Sequence, residues 1–172
     1  VDKTLAIVGF GQIGQYIGKL AQAFNMKILY VDHEEKDTEI TAQKVSLEEA
    51  LKEADYVITQ VNYNETSHHL FGKKEFEQMK ETAYFINTAR GGVVDESALL
   101  DALKNKQIQA AALDVHEEEP HINEELAKLD NVILTPHIGN DTYEARNKMA
   151  EVAADQAVKA LKDTELDYQV NK

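Results

Sequence analysis

Apolar runs alternate with amphipathic segments along most of this chain. Six short runs lack an internal alternation of apolar and polar residues, which is typical of strands buried on both faces of a parallel sheet. We predict these strands at residues 4–8, 27–31, 56–61, 83–87, 110–114 and 132–134. Helical segments separate several of them, so the order of elements predicts right-handed β–α–β units. The fold class indicated is α/β, a doubly wound parallel sheet in three layers.

Capping patterns predict where several helices begin. Ser46 and Glu49 form a capping-box pattern before a short helix that ends near Glu53. Asp95 is a suitable cap for a helix that ends near Lys104. We predict the remaining helices from the first glycine-rich turn to about residue 24, and over residues 74–79, 124–129 and 142–161.

The longest predicted helix, at residues 142–161, carries an apolar stripe at helical spacing. The stripe consists of Met149, Ala153, Ala157 and Leu161. It either packs on the body of the domain or faces a neighbouring domain. We predict a single domain over residues 1–172, with a core at 3–140 and a C-terminal helix and tail at 141–172. The tail from residue 163 is polar and expected to be extended.

The first strand leads directly into a glycine-rich turn. Gly9, Gly11 and Gly14 stand at G-x-G-x-x-G spacing between this strand and a helix. The second strand ends in Asp32, 18 residues after the third glycine. Gly9 permits the tight turn, Gly11 the approach of a pyrophosphate, and Gly14 close helix–strand packing, while the helix N-terminus attracts phosphate. A turn without a ligand would leave Asp32 unexplained, so we predict dinucleotide binding in a Rossmann fold.

The composition narrows the range of partners. The chain has 18 basic and 31 acidic residues and a net charge of −13, which disfavours nucleic acid and anionic membranes as partners. It contains no cysteine, so disulfides, thiolate metal sites and thiol nucleophiles are excluded, and we predict no metal site. No apolar run reaches membrane-spanning length and no signal peptide is recognisable, so we expect a cytoplasmic protein.

Three side chains that can do chemistry follow the predicted fourth, fifth and sixth strands. They are Arg90, Glu119 and His137. Ligands of open α/β sheets bind beyond the carboxyl ends of the strands, where these residues lie. The only two prolines, Pro120 and Pro136, adjoin Glu119 and His137 and restrict both loops.

Each of the three residues also has a plainer explanation. An arginine in a loop is usually a solvated charge, a run of acids usually faces solvent, and a lone histidine usually lies at the surface or in a core. Together, behind a dinucleotide fold, they suit hydride-transfer chemistry. Arg90 could polarise a carbonyl or hold a carboxylate, His137 could donate a proton, and Glu119 could orient the imidazole.

Nearly the whole chain resembles the cofactor domain of the D-isomer-specific 2-hydroxyacid dehydrogenases. The matching stretches are residues 9–14, 87–95, 113–120 and 135–139. The resemblance implies that Arg90 binds substrate, that His137 is the acid/base and that Glu119 is its partner. It implies NAD as the cofactor and a small D-2-hydroxy acid or 2-oxo acid as the substrate.

The resemblance also implies a set of cofactor contacts. Asp114 is expected to contact the nicotinamide amide, and Asp32 to hold the adenosine ribose and so select NAD over NADP, because no arginine is present there to pair a 2′-phosphate. The residues expected to contact the cofactor are Gly9, Gly11, Gln12, Ile13, Gly14, Asp32, Asn62, Thr88, Ala89, Asp114, His137 and Gly139.

The chain departs from the family pattern in three ways. Residues 62–68 lack the prolines usual after the third strand, which predicts a less rigid loop. His116 stands where an aromatic residue is common. In family members a substrate domain precedes the first strand, and we expect this chain to lack it. We therefore interpret the chain as the NAD-binding half of an oxidoreductase, inactive alone, whose expected partners are that domain and a second copy in a homodimer. The alternative is an NAD(H)-responsive binding or sensor module without turnover.

Overall fold

Seven parallel strands form one sheet in the computed structural model, which describes residues 2–162 and 164–169. The strands are β1 (Thr4–Val8), β2 (Lys27–Val31), β3 (Ala42–Lys44), β4 (Tyr56–Thr59), β5 (Tyr84–Asn87), β6 (Ala110–Leu113) and β7 (Val132–Leu134). Their order across the sheet is β3-β2-β1-β4-β5-β6-β7. Together with the helices between them, they confirm the predicted α/β fold of the Rossmann type.

Six α-helices accompany the strands within the described residues. They are α1 (Gln12–Ala23), α2 (Leu47–Glu53), α3 (Lys73–Gln78), α4 (Glu96–Lys104), α5 (Glu124–Ala127) and α6 (Tyr143–Leu161). A short 3₁₀ turn, Gly91–Val93, lies between β5 and α4. The predicted capping box is confirmed, because Ser46 Oγ accepts the Glu49 N–H at 3.2 Å and Glu49 Oε2 accepts the Ser46 N–H at 2.9 Å. Asp95 caps α4 through the Ala98 N–H.

The prediction of six strands was incomplete, because it missed the edge strand β3. This strand has only three residues, Ala42-Gln43-Lys44, and two of them are exposed polar residues. An edge strand pairs on one side only and needs no apolar run, so its sequence carries little signal. The predicted third strand was also two residues too long, since β4 ends at Thr59 and Gln60 and Val61 line a cavity instead.

Two apolar clusters cover the two faces of the sheet. Side chains alternate between faces along a strand, and β1 shows this directly: Leu5 and Ile7 belong to the cluster next to α1, whereas Ala6 and Val8 belong to the other. The second cluster is the larger, with three phenylalanines in mutual contact at its centre, Phe71, Phe76 and Phe85. Each fully buried large side chain contributes about 1.5–3 kcal/mol of hydrophobic stabilisation.

The strand order reverses at β1, which places a crevice at the carboxyl edge of the sheet. β1 pairs with β2 on one side and with β4 on the other, and Val8 is level with both Val31 and Thr59. The residues that follow these three strands therefore meet at one edge. In open α/β sheets this point of reversal is where ligands bind.

The chain divides into two compact units, the first ending at His137 and the second beginning at Ile138. The boundary lies close to the predicted end of the core at residue 140, and the prediction of a single domain stays a prediction. In the second unit Thr142 caps α6 through the Ala145 N–H, and no residue of this helix is buried. The predicted apolar stripe is thus exposed, with Met149 at 51% and Leu161 at 87%.

The C-terminal tail is not simply extended where the structure describes it. Asp167 lies 2.5 Å from Lys159 Nζ, and its N–H donates to Gln156 Oε1, so residues 164–169 bend back along α6. Hydrogen bonds to Asp167 and Asp155 raise the pKa of Lys159 to about 12. Residues 163 and 170–172 of the predicted tail lie outside the described residues. Among the residues that the structure describes, no helix combines the length and apolar character needed to cross a bilayer.

Candidate functional site

The glycine-rich turn after β1 is shaped by close backbone contacts. Gly9 has a φ of +94°, and a Cβ there would lie 2.6 Å from the Gln60 carbonyl. A Cβ on Gly14 would lie 2.3 Å from the Gly9 oxygen, so α1 approaches the turn too closely for any side chain. A Cβ on Gly11 would meet nothing within 4 Å. Gly11 therefore opens onto free space, as expected of the glycine that lets a ligand approach the backbone.

The N-terminus of α1 faces this same space. Its N-cap is Gly11, which has no side chain to cap the helix, and the first turn contains no acidic residue. Helix N-termini carry a partial positive charge and unsatisfied N–H groups. This end of α1 can therefore bind an anionic group such as a pyrophosphate.

Asp32 follows β2 and is held by its neighbours in the turn. Its Oδ2 accepts the Phe10 N–H at 2.9 Å, and its Oδ1 lies 3.3 Å from Lys36 Nζ. Burial by itself would raise the pKa of Asp32, but hydrogen bonds from Phe10 and Glu34 and the charge of Lys36 lower it overall. The carboxylate is thus ionised and fixed at neutral pH. The sequence shows no arginine near Asp32, but the contact of Lys36 with this carboxylate was not predicted.

A cavity of about 750 Å³ runs along the carboxyl ends of β1, β2 and β4. Of the residues expected to contact a cofactor, it is lined by Gly9, Gly11, Gln12, Ile13, Gly14, Asp32 and Asn62. The cavity is also lined by residues that were not predicted, including His33, Lys36, Gln60 and Ser67. Gln60 directly follows β4, so its position after a strand could have indicated it, whereas Lys36 reaches Asp32 only through the turn after β2.

A neighbouring cavity of about 490 Å³ extends towards β5. It shares Ile13, Gln60 and Asn62 with the first cavity and adds Thr88, Ala89 and Arg90. A hydrogen bond between Gln60 Nε2 and Thr88 Oγ1 joins the loops after β4 and β5. The two cavities share part of their walls, so the predicted cofactor residues that line them lie along one cleft with Arg90, whereas Asp114 and His137 line neither of these two cavities.

Asn87, the last residue of β5, shapes the loop that carries Arg90. It is 1% exposed, its Nδ2 donates to the Arg90 carbonyl, and its Oδ1 accepts the Ala89 N–H, both at 3.0 Å. The Arg90 side chain is exposed and its Nη1 donates to the Ala89 carbonyl at 2.6 Å. The loop is thus rigidly built beneath a guanidinium that stays accessible to a ligand.

Glu119 and His137 come together from the loops after β6 and β7. His137 Nδ1 lies 2.9 Å from Glu119 Oε2 and 3.2 Å from Oε1. The hydrogen bond with His137 is the main reason that the pKa of Glu119 is lowered. His137 has a φ of +55°, a conformation uncommon for residues other than glycine and often found at functional sites. With Nδ1 facing the carboxylate, Nε2 is the ring atom left for a substrate.

Asp114 and Gly139 complete the predicted set. Asp114 directly follows β6, its Oδ1 accepts the Thr135 hydroxyl at 2.5 Å, and its N–H donates to the Asn87 carbonyl. It therefore lies between the loop of Arg90 and the loop of His137. Gly139 belongs to the second unit, and its contact with a cofactor stays a prediction.

Residues 62–68 fold into a compact loop without the expected prolines. Ser67 is buried, and its Oγ accepts the Asn64 N–H at 2.8 Å and donates to the Asn62 carbonyl at 2.7 Å. Asn64 Oδ1 in turn accepts the Thr66 N–H. Local hydrogen bonds of this kind order a turn much as proline does.

Comparison with known proteins identifies the family. Residues 1–139 match the D-isomer specific 2-hydroxyacid dehydrogenase family, NAD binding domain. The chain belongs to this family. The matched part of this family is its NAD-binding domain.

Relatives in sequence and structure agree with the family match. A Staphylococcus aureus protein described as a 2-hydroxyacid dehydrogenase is 46% identical over 98% of this chain. A glyoxylate reductase from Paecilomyes thermophila superposes with a TM-score of 0.92 at 35% identity, covering 98% of this chain and 52% of its own. A D-lactate dehydrogenase with NAD⁺ from Lactobacillus jensenii gives 0.91 at 28% identity, covering 99% and 56%. The chain spans about half the length of the curated relatives it matches, 54% in the S. aureus protein.

Proposed function

We propose that this domain serves an NAD-dependent dehydrogenase that interconverts a small D-2-hydroxy acid and the corresponding 2-oxo acid. The observation that carries the proposal is the Glu119–His137 contact at the carboxyl edge of an NAD-binding sheet. Arg90 lies along the same edge, on the cleft that also holds the glycine-rich turn. An acid/base, its carboxylate partner and a cation are what reduction of a 2-oxo acid requires.

The residues present suit NAD. The space beside Gly11 and the bare N-terminus of α1 suit the pyrophosphate, and Asp32 suits the ribose hydroxyls. Gln12, Ile13 and Asn62 would line the middle of the cleft. The nicotinamide end would be held by the predicted contacts of the first unit that remain, Thr88, Ala89, Asp114 and His137. When bound, NAD(H) supplies hydride transfer to or from the substrate carbon.

The chain's own residues would handle the carboxylate and the proton. Arg90 would pair with the substrate carboxylate through two parallel hydrogen bonds and polarise the carbonyl. His137 would donate a proton from Nε2 to the carbonyl oxygen as it becomes a hydroxyl, and would accept that proton in the reverse direction. Glu119 would fix the ring through Nδ1 and stabilise its charged form.

An NAD(H)-responsive binding module without turnover is the alternative function. In this chain the side chains of His137 and Glu119 are 42% and 38% exposed. Efficient hydride transfer needs a site from which water is excluded. A partner domain that covers this edge would favour the dehydrogenase, and its absence would favour the module. We propose that the domain works together with a substrate domain, acts on a small D-2-hydroxy acid or 2-oxo acid, and forms a homodimer.

Two measurements test the proposed function. Isothermal titration of the chain with NADH should show binding, and the chain alone should reduce 2-oxo acids far more slowly than about 1 per second, a rate ordinary for enzymes. The parent protein should reduce at least one acid of a panel, followed by NADH absorbance, and lose most of that rate in His137→Ala. Absence of NADH binding would contradict the whole assignment. Binding without turnover by the parent protein would favour the sensor module.

A further inference from the structure

Three loops of the candidate site meet at His116, a residue that the proposed function does not use. His116 lies in the loop after β6, between Asp114 and Glu119, and its side chain is only 2% exposed. A histidine in a surface loop is seldom so deeply buried. The surrounding contacts indicate why this one is.

The backbone and the side chain of His116 reach two different loops. Its N–H donates to Glu119 Oε1 at 3.1 Å, so it holds the carboxylate that contacts His137. Its imidazole Nε2 lies 2.9 Å from the carbonyl oxygen of Thr135, in the loop after β7. A carbonyl can only accept a hydrogen bond, so Nε2 is the nitrogen that carries the proton.

The third loop is the one that carries Arg90. A Cβ placed on Gly91 would lie 1.9 Å from the carbonyl oxygen of His116. The two backbones are therefore in direct contact, and no residue other than glycine fits at position 91. His116 thus lies where the loops of Arg90, Glu119 and His137 touch.

The bond to Thr135 acts directly on the position of His137. The Thr135 carbonyl belongs to the peptide unit that leads into Pro136, and His137 follows at once. Thr135 itself is already tied to the end of β6, because its N–H donates to the Leu113 carbonyl and its hydroxyl donates to Asp114. These bonds hold the end of the strand, whereas the bond from His116 fixes the peptide unit that precedes His137.

The far side of the imidazole packs against an acid that is held separately. His116 Nδ1 has no hydrogen-bond partner and lies 3.8 Å from Glu96 Oε1. Glu96 and Glu117 each accept the backbone N–H of the other, at 2.9 and 3.2 Å. A buried ring nitrogen without a hydrogen bond is unfavourable. A phenylalanine would avoid this cost but would lose the bond to Thr135.

We propose that His116 is a positioning residue for the Glu119–His137 pair, an inference that rests on the proposed function of that pair. Its backbone holds the carboxylate, and its imidazole holds the peptide unit that presents His137. The plainer alternative is that His116 only fills space in the interior, in which case an aromatic ring of similar size should serve equally well.

The test compares His116→Phe with His116→Gln in the chain as it stands. Phenylalanine keeps the ring but donates no hydrogen bond, whereas the glutamine amide can place a donor where Nε2 lies. The readout is the pKa of Glu119, from NMR titration of its side-chain carboxyl carbon. His121→Phe is the matched control, because this exposed histidine belongs to the same loop.

We expect one variant to lose the lowering of the Glu119 pKa and the other variant to restore it. His116→Phe should raise the pKa of Glu119 by about half a pH unit or more, because His137 moves away from the carboxylate. His116→Gln should restore most of the shift, and His121→Phe should leave it unchanged. In a His137→Ala background, His116→Phe should have little further effect, since the two act on the same contact. Equal pKa values in the phenylalanine and glutamine variants would overturn the proposal.

A measurement on the unsubstituted chain decides the matter if His116→Phe does not fold. ¹⁵N NMR of the imidazole should show that Nε2 of His116 carries a proton that exchanges slowly with water. A ring without a proton on Nε2 would overturn the proposal. Titration with NADH tests the proposed function separately, because cofactor binding at the glycine-rich turn does not depend on His116.

Discussion

Two regions at the carboxyl edge of the sheet, a nucleotide end and a second end after β5, β6 and β7, are built in different ways. The nucleotide end, from β1 to β2, is formed mainly by backbone, at the Gly9 turn and the uncapped start of α1. The Asp32 carboxylate is held in place there by the Phe10 N–H. The end proposed to be catalytic consists of side chains from three separate loops: Arg90, and the contacting pair Glu119 and His137, which are 18 residues apart in sequence. The first end depends on local geometry and the second on contacts between loops. Substitutions at the nucleotide end should therefore disturb backbone geometry and NADH binding, whereas substitutions at the other end should weaken contacts between loops.

The largest effect is expected at the Gly9 turn. Gly9→Ala should destabilise the fold by about 3 kcal/mol or more, because the methyl group meets the Gln60 backbone and the φ of +94° disfavours alanine. Gly11→Ala is the matched control, since its Cβ points into open space. It should fold normally and bind NADH more weakly. Urea unfolding and NADH titration separate the two effects, and similar unfolding midpoints would contradict this account of the turn.

At the catalytic end, Asn87→Ala should cost about 2–3 kcal/mol of unfolding free energy, because a buried amide that organises the Arg90 loop is lost. Asn105→Ala, at an exposed residue, provides the comparison in urea unfolding. A loss near zero at Asn87 would mean that this loop is not held by its side chain. Unlike Gly9→Ala, the substitution leaves the nucleotide turn in place, so the surviving folded fraction should still bind NADH.

Much of the nucleotide end was predictable, and the contrast with the other end has a physical reason. The glycine spacing, the strand before it and Asp32 lie in one short stretch and report directly on backbone geometry. The contact of Lys36 with Asp32 was not predicted, because it depends on a turn that brings the lysine back to the carboxylate. At the catalytic end the sequence identified Glu119 and His137 from their place after strands. It did not indicate that His116 joins their loops, because its partner Thr135 uses a backbone carbonyl, which every residue has.

Lys36→Met should change nucleotide selectivity. The chain should prefer NADH to NADPH because of Asp32, and Lys36 should moderate that preference, because its ammonium lies 3.3 Å from the carboxylate. Without it, NADPH affinity should fall about tenfold, or 1.4 kcal/mol, while NADH affinity changes little. Lys73→Met is a suitable control at an exposed lysine that does not line the cavity. Titration calorimetry with both cofactors measures this, and an equal fall for both would refute the role of Lys36.

The smallest effect is the pH dependence of the Glu119–His137 contact. Because folding lowers the pKa of Glu119, its contribution is present above the unfolded pKa of about 4.3 and is lost as the pH falls through the lower folded pKa. Both side chains are more than a third exposed, so solvent screening limits the contribution to about 1 kcal/mol or less. Glu119→Gln should therefore be less stable than the unsubstituted chain near pH 6, and this difference in unfolding free energy should shrink towards pH 3. A constant difference in urea unfolding across this range would exclude the linkage.

The central claim is that one bound NADH spans both ends of this edge of the sheet, from the glycine-rich turn to His137. An NMR titration of the isotopically labelled chain with NADH tests it directly, because amide and imidazole signals report on each end separately. The account predicts that the backbone amides of residues 9–14 and the imidazole of His137 shift together, with one common dissociation constant. Shifts at the glycine-rich turn without any at His137, or a different dissociation constant for each, would contradict it.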